Sequence, residues 1–182
     1  MKTLRPSLSL LAVVLVGTLV GCSMTSTKSA VVSDKIRTSL DQAGFKNVSA
    51  SQDRDNGVVT LSGHVPADAD KSQAESIARS IAGNQVVSNQ IAVIPPGAES
   101  DAKKFNSDLD KGIEGNLDAA LIQDHLRQSV KYAVKNSVVT LTGDVDSQSK
   151  RAWAETVAAR VPNVQQVVNE LQVKGQKATS SN

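Results

Sequence analysis

The chain has 182 residues, with 20 Lys and Arg against 18 Asp and Glu and 40% apolar residues, which suits one medium domain or two small ones and is too little for a polytopic membrane protein. The aromatic residues are Phe45, Phe105, Tyr132 and Trp153 alone, so the cores must be built from Val, Ile, Leu and Ala and a ring-lined ligand pocket is excluded. One cysteine and two histidines, His64 and His125, rule out internal disulfides, thiolate metal clusters and a three-histidine zinc site, and no cofactor or metal is expected.

Residues 1–21 read as an address rather than a fold. Lys2 and Arg5 precede an apolar run, Leu8 to Val20, of 13 residues. A spanning helix needs about 20, so the run fits a secretory signal segment. It ends in Leu19-Val20-Gly21-Cys22, with the only thiol of the chain directly after a small residue. This arrangement resembles the bacterial lipobox, which implies that Cys22 becomes the acylated mature N-terminus; the alternative is an ordinary signal peptide whose cysteine happens to fall there. Two or three acyl chains would hold the protein on a bilayer, where one is only a marginal anchor. Ser23 follows instead of the aspartate of an inner-membrane retention signal, so the expected location in a diderm bacterium is the outer membrane, facing the periplasm. Loss of Lys2 and Arg5 with the signal leaves 18 basic and 18 acidic residues. No basic block remains to suggest a nucleic-acid partner. Residues 22–30 read as a flexible tether.

Residues 31–94 carry the pattern of a small domain. A helix is expected from Ser33, as cap, to about Gln42, with Ile36 and Leu40 on one face. Val48 to Gln52 reads as a strand, Asp53 to Gly57 as a turn containing the Asn-Gly hairpin signal, and Val58 to Ser62 as a second, β-branched strand. A second helix runs to about Ala82 with Ala74, Ile77, Ala78 and Ile81 inward, and Val86 to Ile94 forms one last strand with Val87, Asn89, Ile91 and Val93 on one face. Pro95-Pro96-Gly97 then opens a linker over 95–116. Within it, Ala98 to Lys111 reads either as an amphipathic helix, with Ala102, Phe105 and Leu109 aligned, or as a solvated segment. Gly112 and Gly115 are expected to separate that segment from the domain beginning at 117.

The same pattern then recurs over 117–174. Asn56 to Val65 (NGVVTLSGHV) and Asn136 to Val145 (NSVVTLTGDV) match at an offset of 80, and the match continues through Glu75 and Glu155, Asn89 and Asn169, and Val93 and Val173. The chain is a tandem duplication in which each copy buries its own core. In the second copy the first helix is expected over Leu117 to Gln128, with Ile122 and Leu126 in the places of Ile36 and Leu40. The order is αββαβ, twice: an α+β fold in which each three-stranded sheet has two helices on one face. Residues 175–182 read as a disordered tail.

The motifs Val59-Leu61-Gly63-Val65 with Val87-Asn89-Ile91-Val93, and Val139-Leu141-Gly143-Val145 with Val167-Asn169-Leu171-Val173, resemble the BON domain. With the lipobox, the whole resembles a dual-BON envelope lipoprotein of the OsmY/DolP-like group. That resemblance implies a non-enzymatic protein linked to osmotic stress and outer-membrane integrity, held to the membrane by its acyl chains, with phospholipid headgroups or envelope proteins as partners and no small-molecule substrate. The alternative is a structural adaptor, similar to the small α+β domains that build secretion-channel rings.

No catalytic constellation is visible. The acids at Asp53 and Asp55 have no acidic counterpart in the second copy, which favours turn chemistry over a metal loop, and His64 is replaced there by Asp144. Gly63 and Gly143 are expected to serve backbone geometry. The conspicuous asymmetry is Trp153, which stands where the first copy has Gln73, beside Lys150 and Arg151. An edge tryptophan with adjacent cations suits a membrane or partner contact; the alternative is that it covers the other domain or the linker helix.

Overall fold

The computed structural model describes residues 28–174. The first module comprises α1 (Ser33–Gln42), β1 (Val48–Asp53), β2 (Val58–Val65), α2 (Asp68–Ala82), β3 (Val86–Asn89) and β4 (Ala92–Val93). The second comprises α3 (Glu99–Gln123), β5 (Lys131–Lys135), β6 (Val138–Thr142), β7 (Asp144–Val145), α4 (Gln148–Ala159), β8 (Gln166–Asn169) and β9 (Gln172–Val173). In each, a hairpin pairs antiparallel, Val59 opposite Gln52 and Val139 opposite Val134, and the crossover helix returns the chain parallel to the middle strand. Two helices cover one face. Beneath them lie Ile36, Leu40, Val59, Leu61, Ala74, Ala78 and Ile91 in the first module and Leu117, Leu121, Val139, Leu141, Ala154, Val157 and Leu171 in the second.

Each last strand is broken where one continuous strand was expected. β3 and β4 keep one register along β2, Leu61 opposite Asn89 and His64 opposite Ala92. Between them, Asn89 folds its side chain onto the backbone. Its Oδ1 accepts from Ile91 N–H (3.3 Å) and its Nδ2 donates to Lys71 C=O (3.3 Å) and Glu75 Oε2 (2.8 Å). Asn169 repeats this with Leu171 N–H (3.2 Å), Arg151 C=O (3.1 Å) and Glu155 Oε2 (2.9 Å). The duplicated Asn and Glu therefore latch the crossover helix to the end of its strand. Burial raises the cost of a charge on Glu75, but hydrogen bonds from Asn89 and Arg79 outweigh it and hold its carboxyl below the ordinary range.

The linker differs from expectation. Gly112 and Gly115 do not divide it: α3 is one helix of 25 residues that runs from the linker into the second core. Each glycine weakens a helix by about 1 kcal/mol relative to alanine, yet burial of Ile113, Leu117 and Leu121 on one stripe exceeds that penalty. The second module thus begins inside the segment expected to be linker. The helix stops at Gln123, short of the expected Gln128. Ile122 consequently points outward, 56% exposed, while Leu121 takes the place of Leu40. Leu126 is buried, but from the following turn, where its N–H bonds Leu121 C=O as that of Phe45 bonds Leu40 C=O. Ser33 is the first helical residue of α1 rather than its cap, which is Val32.

The helix-free faces of the two sheets meet. Val58 and Val86 pack with Val138 and Val168, and Val58 and Val138 occupy the same repeat position. Gln166 completes the joint. Its carboxamide accepts from Asn89 N–H (3.0 Å) and donates to Val87 C=O (2.7 Å), the pair a neighbouring strand would engage, and so caps the edge of β3. Asn136 donates to Gln90 C=O (2.7 Å) at one end of the joint, and Gln172 reaches Asn56 (3.3 Å) at the other. Asn56 and Asn136 are repeat equivalents, so the modules are related by an approximate two-fold axis.

Candidate contact surface on the second module

α4 begins at Ser147, whose hydroxyl accepts from Lys150 N–H (3.2 Å) as an N-cap. Its buried stripe is Arg151, Ala154, Val157 and Ala158. Helical spacing puts Trp153 at the border of that stripe, 42% exposed. Its indole N–H donates to Asp124 Oδ1 (3.2 Å) at the end of α3, and the Arg160 guanidinium lies over its ring, 5.5 Å from the centroid. Trp153 therefore ties α4 to α3 with one edge and presents the rest outward.

Lys150 stands beside it, its Nζ 3.1 Å from Asp146, which Lys174 also approaches at 3.2 Å. The hydrogen bonds from Lys150 and Lys174, reinforced by their charges, hold the Asp146 carboxyl below its ordinary range. Arg151 does not belong to this surface. It is 7% exposed and its guanidinium donates to Asn169 C=O (3.0 Å). Lying three residues before Ala154, it faces β8 and serves the core of the module, a correction to the expected contact trio. The surface instead acquires Arg160 over the ring and Asp124 at its N–H. Arg160 stands one heptad after Trp153, a spacing readable from the sequence. Asp124 is 29 residues distant in sequence and carries no such signal.

Gly63 and Gly143 stand at the ends of the hairpin pairing, Gly63 opposite Val48 and Gly143 directly after Thr142. Their φ values are +113° and +119°, and a Cβ would stand 2.0 Å from Asn47 C=O and 2.4 Å from Ser129 C=O. His64 is exposed at the end of β2, and His125 lies in the turn after α3, with φ +56°, rather than on the helix itself. The Asp53 carboxylate accepts from the N–H groups of Asp55 (2.9 Å) and Asn56 (3.1 Å), the work of a turn residue. Leu19, Val20, Gly21 and Cys22 lie outside the described residues, as do the tail and most of the tether. Among the described residues no helix is long and apolar enough to cross a membrane.

The model of the BON domain matches residues 28–95 and 109–175, the second span starting within α3 as the core does. Osmotically-inducible protein Y of Escherichia coli (strain K12) is 32% identical over 148 residues, which cover 80% of this chain and 72% of that protein. Among solved structures, the C-terminal domain of CdsD, the structural protein of the type III secretion system of Chlamydia trachomatis, superposes with a TM-score of 0.32 at 14% identity, over 78% of this chain and 65% of that one. A second structure of CdsD gives 0.35 at 15% identity, over 77% and 90%. Two matched spans that take up most of the described residues, each with the αββαβ order and the Asn–Glu latch, establish that the chain belongs to the BON-domain family as a tandem pair.

Proposed function

We propose that this is a non-enzymatic, lipid-anchored periplasmic protein that supports the outer membrane under osmotic stress, touching phospholipid headgroups or a protein partner through the Trp153 edge of its second module. The observation that carries the reading is the match over four fifths of the chain to a protein named for osmotic induction. The contact surface is supported by its composition: the part-exposed indole of Trp153 flanked by Lys150 and Arg160. An indole suits the headgroup level of a bilayer, and a cation near an anionic surface contributes about 1 kcal/mol. Such a patch is weak alone and becomes effective when an acyl anchor on Cys22 already holds the module near the membrane.

The test has two parts. Mass spectrometry of the mature protein should find an acylated N-terminal peptide beginning at Cys22; a free Cys22 thiol would remove the anchor from the reading. Tethered protein should lose vesicle binding when Trp153→Ala is combined with Lys150→Glu. Trp153→Phe, which keeps a ring under Arg160 but gives up the bond to Asp124, should retain most of it. Equal binding by all three chains would assign Trp153 a packing role only.

A further inference from the structure

The residues before α1 are bound to the first hairpin. Ser29 N–H donates to Arg54 C=O (2.9 Å), and Arg54 Nε donates back to Ser29 C=O (2.8 Å). Gln52 clasps the residues that follow: its Nε2 donates to Ala30 C=O (2.6 Å) and its Oε1 accepts from Val32 N–H (3.1 Å). Gln85 adds a second donor to Ala30 C=O (3.1 Å), and Lys28 pairs with Asp55 (3.3 Å) at the tip of the turn. A Cβ on Gly57 would stand 3.1 Å from Ser29 Oγ, so the segment lies against the turn as well as bonding to it. Residues 28–30, expected to belong to a flexible tether, are therefore docked.

The second copy lacks the docking groups. Val139 pairs with Val134 where Val59 pairs with Gln52, so a valine stands in the place of the clasping glutamine. The turn between β5 and β6 is also two residues shorter than that between β1 and β2, which leaves no counterpart of Arg54. The hairpins have diverged at the positions that hold residues 28–32.

We propose that residues 28–32 form a strap that fixes which end of the anchored protein faces its bilayer. This rests on the anchor at Cys22 proposed above. Lys28, at the hairpin tip, follows Cys22 by six residues, a reach of at most about 20 Å, whereas a chain free as far as Val32 would reach about 35 Å. The strap thus keeps the β1–β2 tip toward the membrane. The second module shares that end: Gln172 donates to Asn56 (3.3 Å), Lys174 follows two residues later, and Lys174 and Lys150 meet at Asp146. The first turn of α4, with Trp153 one turn further on, is carried to the bilayer, while His64 and Asn136, at the other end of the joint, face away. Charge does not bring this about. Lys28 and Lys174 are paired with Asp55 and Asp146, and Asp53 and Glu170 add acid nearby, so this end has no net attraction to anionic lipid.

The test joins the chain from residue 22 onward, through its single cysteine, to a maleimide lipid in nanodiscs of phosphatidylethanolamine and phosphatidylglycerol that carry a gadolinium-chelate lipid. This linkage replaces acylation, so the outcome is independent of whether the cell acylates Cys22. The amides of Asn56 and Gln172 should be broadened severalfold more than those of His64 and Asn136. Gln52→Ala with Arg54→Ala should abolish that contrast with the circular dichroism unchanged, and Arg54→Ala alone, at an exposed residue, should reduce it. In the unlinked chain the double substitution should speed hydrogen exchange at the Ser29 and Val32 amides by about tenfold or more. Trp153→Ala with Lys150→Glu should leave the contrast in place. Equal broadening of the two ends in the unaltered chain, or a contrast that survives release of residues 28–32, would overturn the strap; a contrast lost only with the Trp153 and Lys150 pair would do so as well, and would assign the orientation to that patch.

Discussion

Gly63 and Gly143 show how a single atom governs each module. Both sit where the second strand leaves its hairpin, and at each the neighbouring backbone carbonyl occupies the space of a Cβ. A left-handed φ alone costs a non-glycine residue about 1–3 kcal/mol; here the carbonyl of Asn47 or Ser129 must also move. Gly63→Ala and Gly143→Ala are each expected to lower stability by at least that amount in urea unfolding, without moving any residue of the Trp153 surface. The glycines were legible in the sequence as repeated strand-end positions. The reason for them was not, because the carbonyl that excludes a side chain comes from a loop sixteen residues earlier in one module and fourteen in the other. Arg151 is a parallel case: it follows Lys150 and stands two residues before Trp153, yet its environment is set by β8, eighteen residues away.

At the level of elements, α3 is the least regular in sequence and the longest in structure. Its first half has little apolar content, two glycines follow just past its middle, and the local signal favours a break. The break does not form because Ile113 is already part of the core and Asp110 must reach the turn of the second hairpin. Nothing lies within 4 Å of a Cβ built at Gly112 or Gly115, and neither has a positive φ. Gly112→Ala with Gly115→Ala is therefore expected to stabilise the protein by about 0.5–1 kcal/mol per site, read as a rise in the thermal midpoint. A fall would mean that the helix needs flexibility where its geometry shows none. α1 and α2 end at Gln42 and Ala82, where Gly44 and Gly83 suggested, and the last strands differ only through the Asn89 and Asn169 latches.

At the level of the whole molecule, the modules are joined through four valines and a few side-chain hydrogen bonds, a small and largely polar junction of the kind found between domains that can part. Glu170 is its weak point. Burial, and after it the charge of Asp53 from the other module, push its carboxyl above the ordinary range. A carboxyl whose folded value is raised adds stability that is present below its unfolded value of 4.5 and is lost as pH rises through the folded value. At neutral pH the ionised Glu170 thus works against the joint. Glu170→Gln should raise the thermal midpoint at pH 7 and change it little at pH 4. Equal shifts at both values would mean that charge is not the cause.

The sequence by itself determined the duplication, the α+β class, the order of elements within each module and the core stripes of α1, α2 and α4, while that of α3 was misplaced. These depend on periodicity and on residues close along the chain, and the second copy repeats the evidence of the first. Only the tertiary structure decided that linker and second module share one helix, that Arg151 is interior, and that Gln166 caps the edge of β3. Each of these arises from groups brought together across many tens of residues, where the energy of burial or of a satisfied hydrogen bond outweighs local preference and leaves no periodic trace in the chain.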